Sequence, residues 1–222
     1  RKVAVMTDTA SNIPQEMIEK LGIKLIPFHV TMDGKDYRDT EVDIEDLYAR
    51  ADKREDMPTM IPFPVEECFQ TFQELSQGSE AILYISVTSG FTAAYKVALQ
   101  AKEIAREKLP KTTVEVVDSR TGGSGLALIV LEAAKAAKQG KNIAEVVQQV
   151  NYTIPRISHL SAPDTLFYLD RGGRICEAKP WAKAQQVSSF RALIEIADGV
   201  IKPVARAKTK NQIMEKMVNI AK

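Results

Sequence analysis

The sequence predicts an α/β protein: an N-terminal three-layer domain with a mainly parallel sheet, then a smaller C-terminal α/β domain that reads as incomplete. Three observations predict it. Short apolar runs alternate with segments of helical spacing over residues 3–138, the pattern of a parallel sheet covered on both faces. One unit recurs three times in that span: a buried strand, a turn crowded with Ser, Thr, Asp and Gly, then a helix. After Pro155 the character changes to two strands joined at Asp198-Gly199, a hairpin signal, and a final amphipathic helix from Asn211. The expected domains are residues 1–157 and 158–222.

Each element has its own signal. Val3-Ala-Val-Met6 is a short apolar run suited to a buried strand, and residues 14–21 have helical spacing that Gly22 terminates. Residues 23–30 read as a second strand leading into a hairpin at Met32-Asp-Gly-Lys35, and residues 43–50 as a short helix. Pro58, Pro62 and Pro64 forbid regular helix over residues 53–64 and prescribe an extended loop. Helix follows at 65–77, strand at 81–85, helix to about Lys108, strand at 114–117, and a long Ala-rich helix ended by Gly140. In the second domain, residues 191–196 and 199–203 form the expected hairpin. Two strands and a final helix lack the partners that would close their core, so the domain is expected to be missing its closing segment.

Composition narrows the function classes. The 222 residues carry 30 Lys+Arg against 29 Asp+Glu, a net charge of +1, which leaves no field for a dedicated nucleic-acid binder. With 45% hydrophobic and 27% charged residues the chain resembles an ordinary globular protein. The longest apolar stretch, residues 126–137, is interrupted by Glu132 and Lys135 and is too short for a bilayer span of about 20 residues. No secretory leader is visible, and Cys68 and Cys176 stand outside any C-x-x-C pattern. Free thiols in a reducing, cytoplasmic setting are the expectation.

The three polar turns, residues 7–12, 86–92 and 118–125, carry the functional signal. In a parallel sheet they gather at the carboxyl ends of the strands, where open α/β sheets bind ligands. Each opens a helix, whose unpaired N–H groups favour an anion. The same residue types also simply cap helices and turn chains. A polyphosphate site usually brings a Lys, whereas Arg120 is the cation of these turns. Hydroxyls and amides with little fixed positive charge suit a monocarboxylate or a neutral polar head better than a nucleotide. Gly122-Gly-Ser-Gly125 lacks the spacing of a dinucleotide loop.

Catalytic patterns are thin. His29 and His159 form no H-E-x-x-H and no Cys/His cluster, so neither metal nor cofactor is expected, and His29 beside Phe28 reads as a packed or edge histidine. No G-x-S-x-G elbow is present. Ser89 precedes Gly90 at a strand-to-helix turn, but no base can be assigned to it.

At this point motifs accumulate toward a family. Val5-Met-Thr-Asp-Thr-Ala-Ser-Asn-Ile-Pro14, Ile85-Ser-Val-Thr-Ser-Gly-Phe-Thr-Ala-Ala-Tyr95 and Val117-Asp-Ser-Arg-Thr-Gly-Gly-Ser-Gly-Leu126 resemble three segments of the DegV family of bacterial fatty-acid-binding proteins. Leu169-Asp-Arg-Gly-Gly-Arg-Ile175 is similar to its L-x-R-G-G-R-I motif, and residues 199–208 to G-x-x-x-P-x-x-K-x-R. Order and spacing agree from Val5 to the last helix. The resemblance implies a carrier rather than an enzyme, holding a long-chain fatty acid with its tail between the two domains. It also implies a separate fatty-acid kinase as partner. Carried over by motif, Thr59, Ser89 and Gly90 would hold the head group through hydroxyls and amides. Thr7, Thr9, Met60, Phe91, Thr92 and Ser119 would lie near it or line the pocket. Met60, Ile61 and Phe63 replace polar residues usual in the family, which makes the expected pocket more apolar.

Arg171 and Arg174 flank a Gly-Gly turn, and Lys202, Arg206, Lys208, Lys210, Lys216 and Lys222 face Glu215 alone in the tail. Arg171, Arg174 and Arg206 are therefore candidates for partner contact, against the simpler reading of a solvated face. The competing class is an enzyme of phosphotransfer type acting on a small anionic substrate at the same crevice, with Asp8 and Asp118 at the strand ends. A scaffolding role would rest on the basic tail alone.

Overall fold

The computed structural model describes residues 2–53 and 58–222. Four strands, β1 (Val3–Asp8), β2 (Lys24–Ile26), β6 (Ala81–Ser86) and β7 (Thr113–Asp118), form a parallel sheet in the order β2-β1-β6-β7. The central strands β1 and β6 are buried throughout, which accounts for their nearly continuous apolar runs. At the sheet edge, β7 buries Val114 and Val116 and leaves Thr113 exposed. Helices α3 (Val65–Ser76) and α4 (Ala94–Lys108) pack together, and α4 lies on β7. The Ala-rich α5 (Gly123–Lys138) packs on β1 and against α1 (Gln15–Leu21) and α6 (Ile143–Thr153). The parallel sheet and its helices follow the sequence expectation.

Two antiparallel sheets complete the fold. One runs β4-β3-β5, from β3 (His29–Met32), β4 (Lys35–Arg38) and β5 (Thr59–Ile61). The other runs β10-β9-β8, from β8 (His159–Ser161), β9 (Arg191–Ala197) and β10 (Val200–Ala207). Both hairpins turn where expected, with positive φ at Asp33 and Gly34 and at Asp198 and Gly199. Helices α2 (Ile44–Lys53), α7 (Phe167–Arg171), α8 (Lys179–Val187) and α9 (Lys210–Ala221) fill the remaining chain. One cluster of buried apolar side chains runs from Val3 to Val150, and a second from Leu166 to Ile201. Phe91 packs against both.

Some expectations are corrected. Residues 23–30 are two strands in different sheets: β2 pairs with β1, β3 pairs with β4 and β5, and Pro27, lacking an N–H, falls in the break. The expected loop at 53–64 contains β5, while its residues 54–57 lie outside the described residues. Helices α6 and α8 and strand β8 were not anticipated. For α6 the signal was present: Asn142 and Glu145 form a reciprocal capping box, with Val146 and Val150 buried at helical spacing behind it.

Candidate ligand site at the strand ends

The parallel register brings the three polar turns side by side. Thr7 donates its hydroxyl to the Ile85 carbonyl at 2.8 Å, tying β1 to β6. Asp8 is fully buried, and its Oδ2 accepts from the Tyr84 hydroxyl at 2.9 Å and the Val87 amide at 2.8 Å. Burial pushes its carboxyl up to about 6. Thr9 donates to Asp39 and accepts from the Phe28 amide. Thr7 and Thr9 thus make structural bonds, and Asp8 is an interior group holding the second turn rather than a side chain facing the crevice.

The second and third turns are laced together. The Thr88 amide donates to the Thr121 carbonyl at 2.8 Å and the Ser119 amide to the Ser86 carbonyl at 3.1 Å. Ser119 is buried and bonds within its own turn, its Oγ to the Thr121 carbonyl at 3.0 Å. Ser89 is exposed, and its hydroxyl donates to Asp118 Oδ2 at 2.5 Å while its amide faces both Asp118 oxygens at 3.3 Å. The Arg120 amide donates to Asp118 Oδ1 at 2.9 Å. The Gly90 amide donates to Thr88 Oγ1 at 3.2 Å, and Thr92 Oγ1 accepts from the Ala94 amide at the start of α4.

The C-terminal part of the chain closes over these turns at three places. Thr88 Oγ1 donates to the Gly199 carbonyl at 3.0 Å. His159 Nδ1 lies 3.2 Å from Thr121 Oγ1 at the start of α5, where burial holds the imidazole below its ordinary range. Arg174 Nε donates to the Phe91 carbonyl at 2.9 Å. The sequence reading missed Thr88, His159 and Gly199 as members of this cluster. The sequence marks Asp118 as a strand-end acid and carries no sign of its bond to Ser89.

Two clefts of useful size adjoin the cluster. One of about 750 Å³ follows β7, with Val117, Ile154, Ile157 and Ile196 on its walls and Asp118, Arg120 and Asp198 at its polar end. The other, about 610 Å³, holds Thr59 and Met60 together with Arg50, Arg171 and Arg174. Thr59 and Met60 therefore share a cleft with two of the partner-contact candidates, whereas Ser89 is joined through Asp118 to the larger cleft. Arg206 stands apart, its guanidinium 5.1 and 5.2 Å from the Trp181 and Phe190 rings. His29 lies on β3, the central strand of its sheet, and packs against Glu67 at 2.9 Å, a packed histidine and not an edge one. Among the described residues no group of three or more His, Cys, Asp or Glu is placed to hold a metal, and no helix is long and apolar enough to cross a membrane.

Residues 2–222 match the sequence model described as uncharacterised protein, DegV family. A DegV domain-containing protein of Clostridium perfringens is 29% identical over 220 residues, covering 99% of this chain and 77% of that protein. One from Caldanaerobacter subterraneus subsp. tengcongensis is 30% identical over 222 residues, covering 100% and 77%. Among solved structures, a fatty-acid-binding DegV family protein from Thermus thermophilus superposes with a TM-score of 0.88 at 21% identity, covering 99% of this chain and 76% of that one. DegV of Bacillus subtilis, a fatty acid binding protein, gives 0.84 at 23% identity, covering 99% and 77%. At these identities the structural likeness establishes the fold.

Proposed function

This chain belongs to the DegV family, and from that premise we propose that it binds a long-chain fatty acid non-covalently and acts as a carrier. The observation that carries the reading is the 750 Å³ cleft, which has Val117, Ile154, Ile157 and Ile196 on its walls and Asp118, Arg120 and Asp198 where it meets the strand-end turns. Its volume lies within the ~300–1,000 Å³ of small-molecule sites, and the solved relatives from Thermus thermophilus and Bacillus subtilis are fatty-acid binders. In this reading the domains divide at residues 157 and 158, the tail lies between them, Ser89 and Gly90 meet the head group, and Thr59, which lines the smaller cleft, is the third head-group candidate. The two separate apolar clusters support that division. Burying a sixteen-carbon tail at about 0.8 kcal/mol per methylene offers on the order of 10 kcal/mol gross, so the head-group contacts need only orient the ligand. The carrier would work in the cytoplasm and present the exposed carboxyl end to a separate fatty-acid kinase, with Arg171, Arg174 and Arg206 as contact candidates.

Mass spectrometry of lipid extracted from natively purified protein tests the reading. Recovery of a long-chain fatty acid, and a rise in melting temperature on adding palmitate, are the expected results. Neither lipid nor stabilisation would overturn it.

A further inference from the structure

We propose that the site takes the fatty acid in its protonated form, or another neutral head that donates a hydrogen, and that Asp118 imposes this choice. The inference rests on the fatty-acid reading above and concerns the chemical state of the ligand at that site.

It follows from counting protons at the turn. A serine residue offers two donors, its amide and its hydroxyl. Both donors of Ser89 already go to Asp118, the hydroxyl at 2.5 Å. The neighbouring amide, Gly90, goes to Thr88 Oγ1, and the Thr88 proton in turn goes to the Gly199 carbonyl. The donors of Thr88, Ser89 and Gly90 are therefore occupied by protein acceptors. What Ser89 retains is acceptor capacity, the lone pairs of Oγ. A carboxylate has no proton to place there, and it would stand beside the Asp118 carboxylate, where like charges disfavour each other's ionisation. A carboxylic acid supplies the missing O–H and avoids the repulsion.

The surrounding charges do not reverse this. Arg120 is on the same turn as Asp118, but Asp198 faces it from the β9–β10 hairpin. Lys202 on β10 is paired with Asp198 at 2.7 Å. Tyr95 on α4 borders the cleft, and His159 from β8 packs against Thr121. Arg174, from the turn after α7, gives its Nε to the Phe91 carbonyl.

The test uses palmitate carrying carbon-13 at its carboxyl carbon, whose NMR shift reports protonation directly. Bound to the wild-type protein at about pH 7.5, well above the ordinary carboxyl range of about 4, the carbon should give the signal of the neutral acid. In Asp118→Asn, which removes the competing charge, it should move to the carboxylate position. Affinity of the wild type for palmitate should fall about tenfold per pH unit once the bulk acid is ionised. Hexadecanol, which has a proton to donate, should compete, and methyl palmitate, which has none, should bind at least about tenfold more weakly than hexadecanol. A carboxylate signal in the wild type overturns the proposal, as does methyl palmitate binding as tightly as hexadecanol; neither needs the variant to fold. Failure of all three lipids to bind would instead overturn the fatty-acid reading itself.

Discussion

The Thr88 hydroxyl donates to the Gly199 carbonyl across 111 residues, joining the end of β6 to the tip of the β9–β10 hairpin in a buried contact. The approach is so close that a Cβ on Gly90 would stand 2.2 Å from the Gly199 oxygen, a backbone atom that cannot rotate away. Gly90→Ala should therefore lift the hairpin off the turn and cost about 2–4 kcal/mol of stability. Gly78→Ala, with nothing within 4 Å of the new methyl, is the control and should be close to neutral. Urea unfolding of both variants decides; equal midpoints would remove the hairpin contact from the stabilising set.

Ser89 and Thr59 are the head-group candidates, and each can be tested without touching the core, since both are exposed. The double variant Thr59→Ala with Ser89→Ala should weaken a fluorescent fatty acid about tenfold or more, or at least about 1.4 kcal/mol. Its thermal stability should stay near that of the wild type. An unchanged dissociation constant would take both residues out of the site.

The legible parts of this molecule are those decided locally. Gly22 ends α1 with a left-handed φ, and Asp33-Gly34 and Asp198-Gly199 turn their hairpins because only a few residue types tolerate those angles. The apolar runs of β1 and β6 show their double burial directly. What stayed hidden depends on partners distant in sequence. Nothing near Pro27 says that the chain changes sheets there, because β3 finds β5 only after the 26 residues that separate Met32 from Thr59. Ser89 was readable as a turn hydroxyl, but its bond to Asp118 requires that β6 and β7 be neighbours in register. His159 and Gly199 entered the site through the packing of the C-terminal segment on the turns, which no local pattern encodes.

Arg171 and Arg174 flank the same glycine turn but should behave differently. Arg174 is committed to the Phe91 carbonyl, at the residue that packs against both apolar clusters. Arg174→Ala should cost about 1–2 kcal/mol, read by thermal melting. Arg171 is exposed, and Arg171→Ala should change stability by no more than about 0.5 kcal/mol. If Arg171 meets a kinase, that variant keeps its fatty-acid affinity but loses phosphorylation of the bound acid. Full transfer by Arg171→Ala would exclude it as a contact.

Asp8 makes the stability of the fold depend on pH in a direction opposite to that of a salt-bridged carboxylate. Burial raises its carboxyl from 3.8 to about 6, so the folded protein holds the proton more tightly than the unfolded chain does. Below about pH 4 both states are protonated and the favourable term is complete; as pH rises through 6 the folded state must ionise a buried group, and the term is lost. A shift of roughly 2 units corresponds to about 3 kcal/mol between pH 4 and 7. Burial raises Asp39 too, which adds in the same sense, whereas the lowered His159 costs stability as pH falls below its ordinary 6.5. Asp8→Asn isolates the contribution, since the amide oxygen can still accept from the Tyr84 hydroxyl and the Val87 amide. The stability of the wild type relative to this variant should decline by about 3 kcal/mol from pH 4 to 7 in urea unfolding. A difference that stays constant across that range would show that Asp8 does not titrate within it.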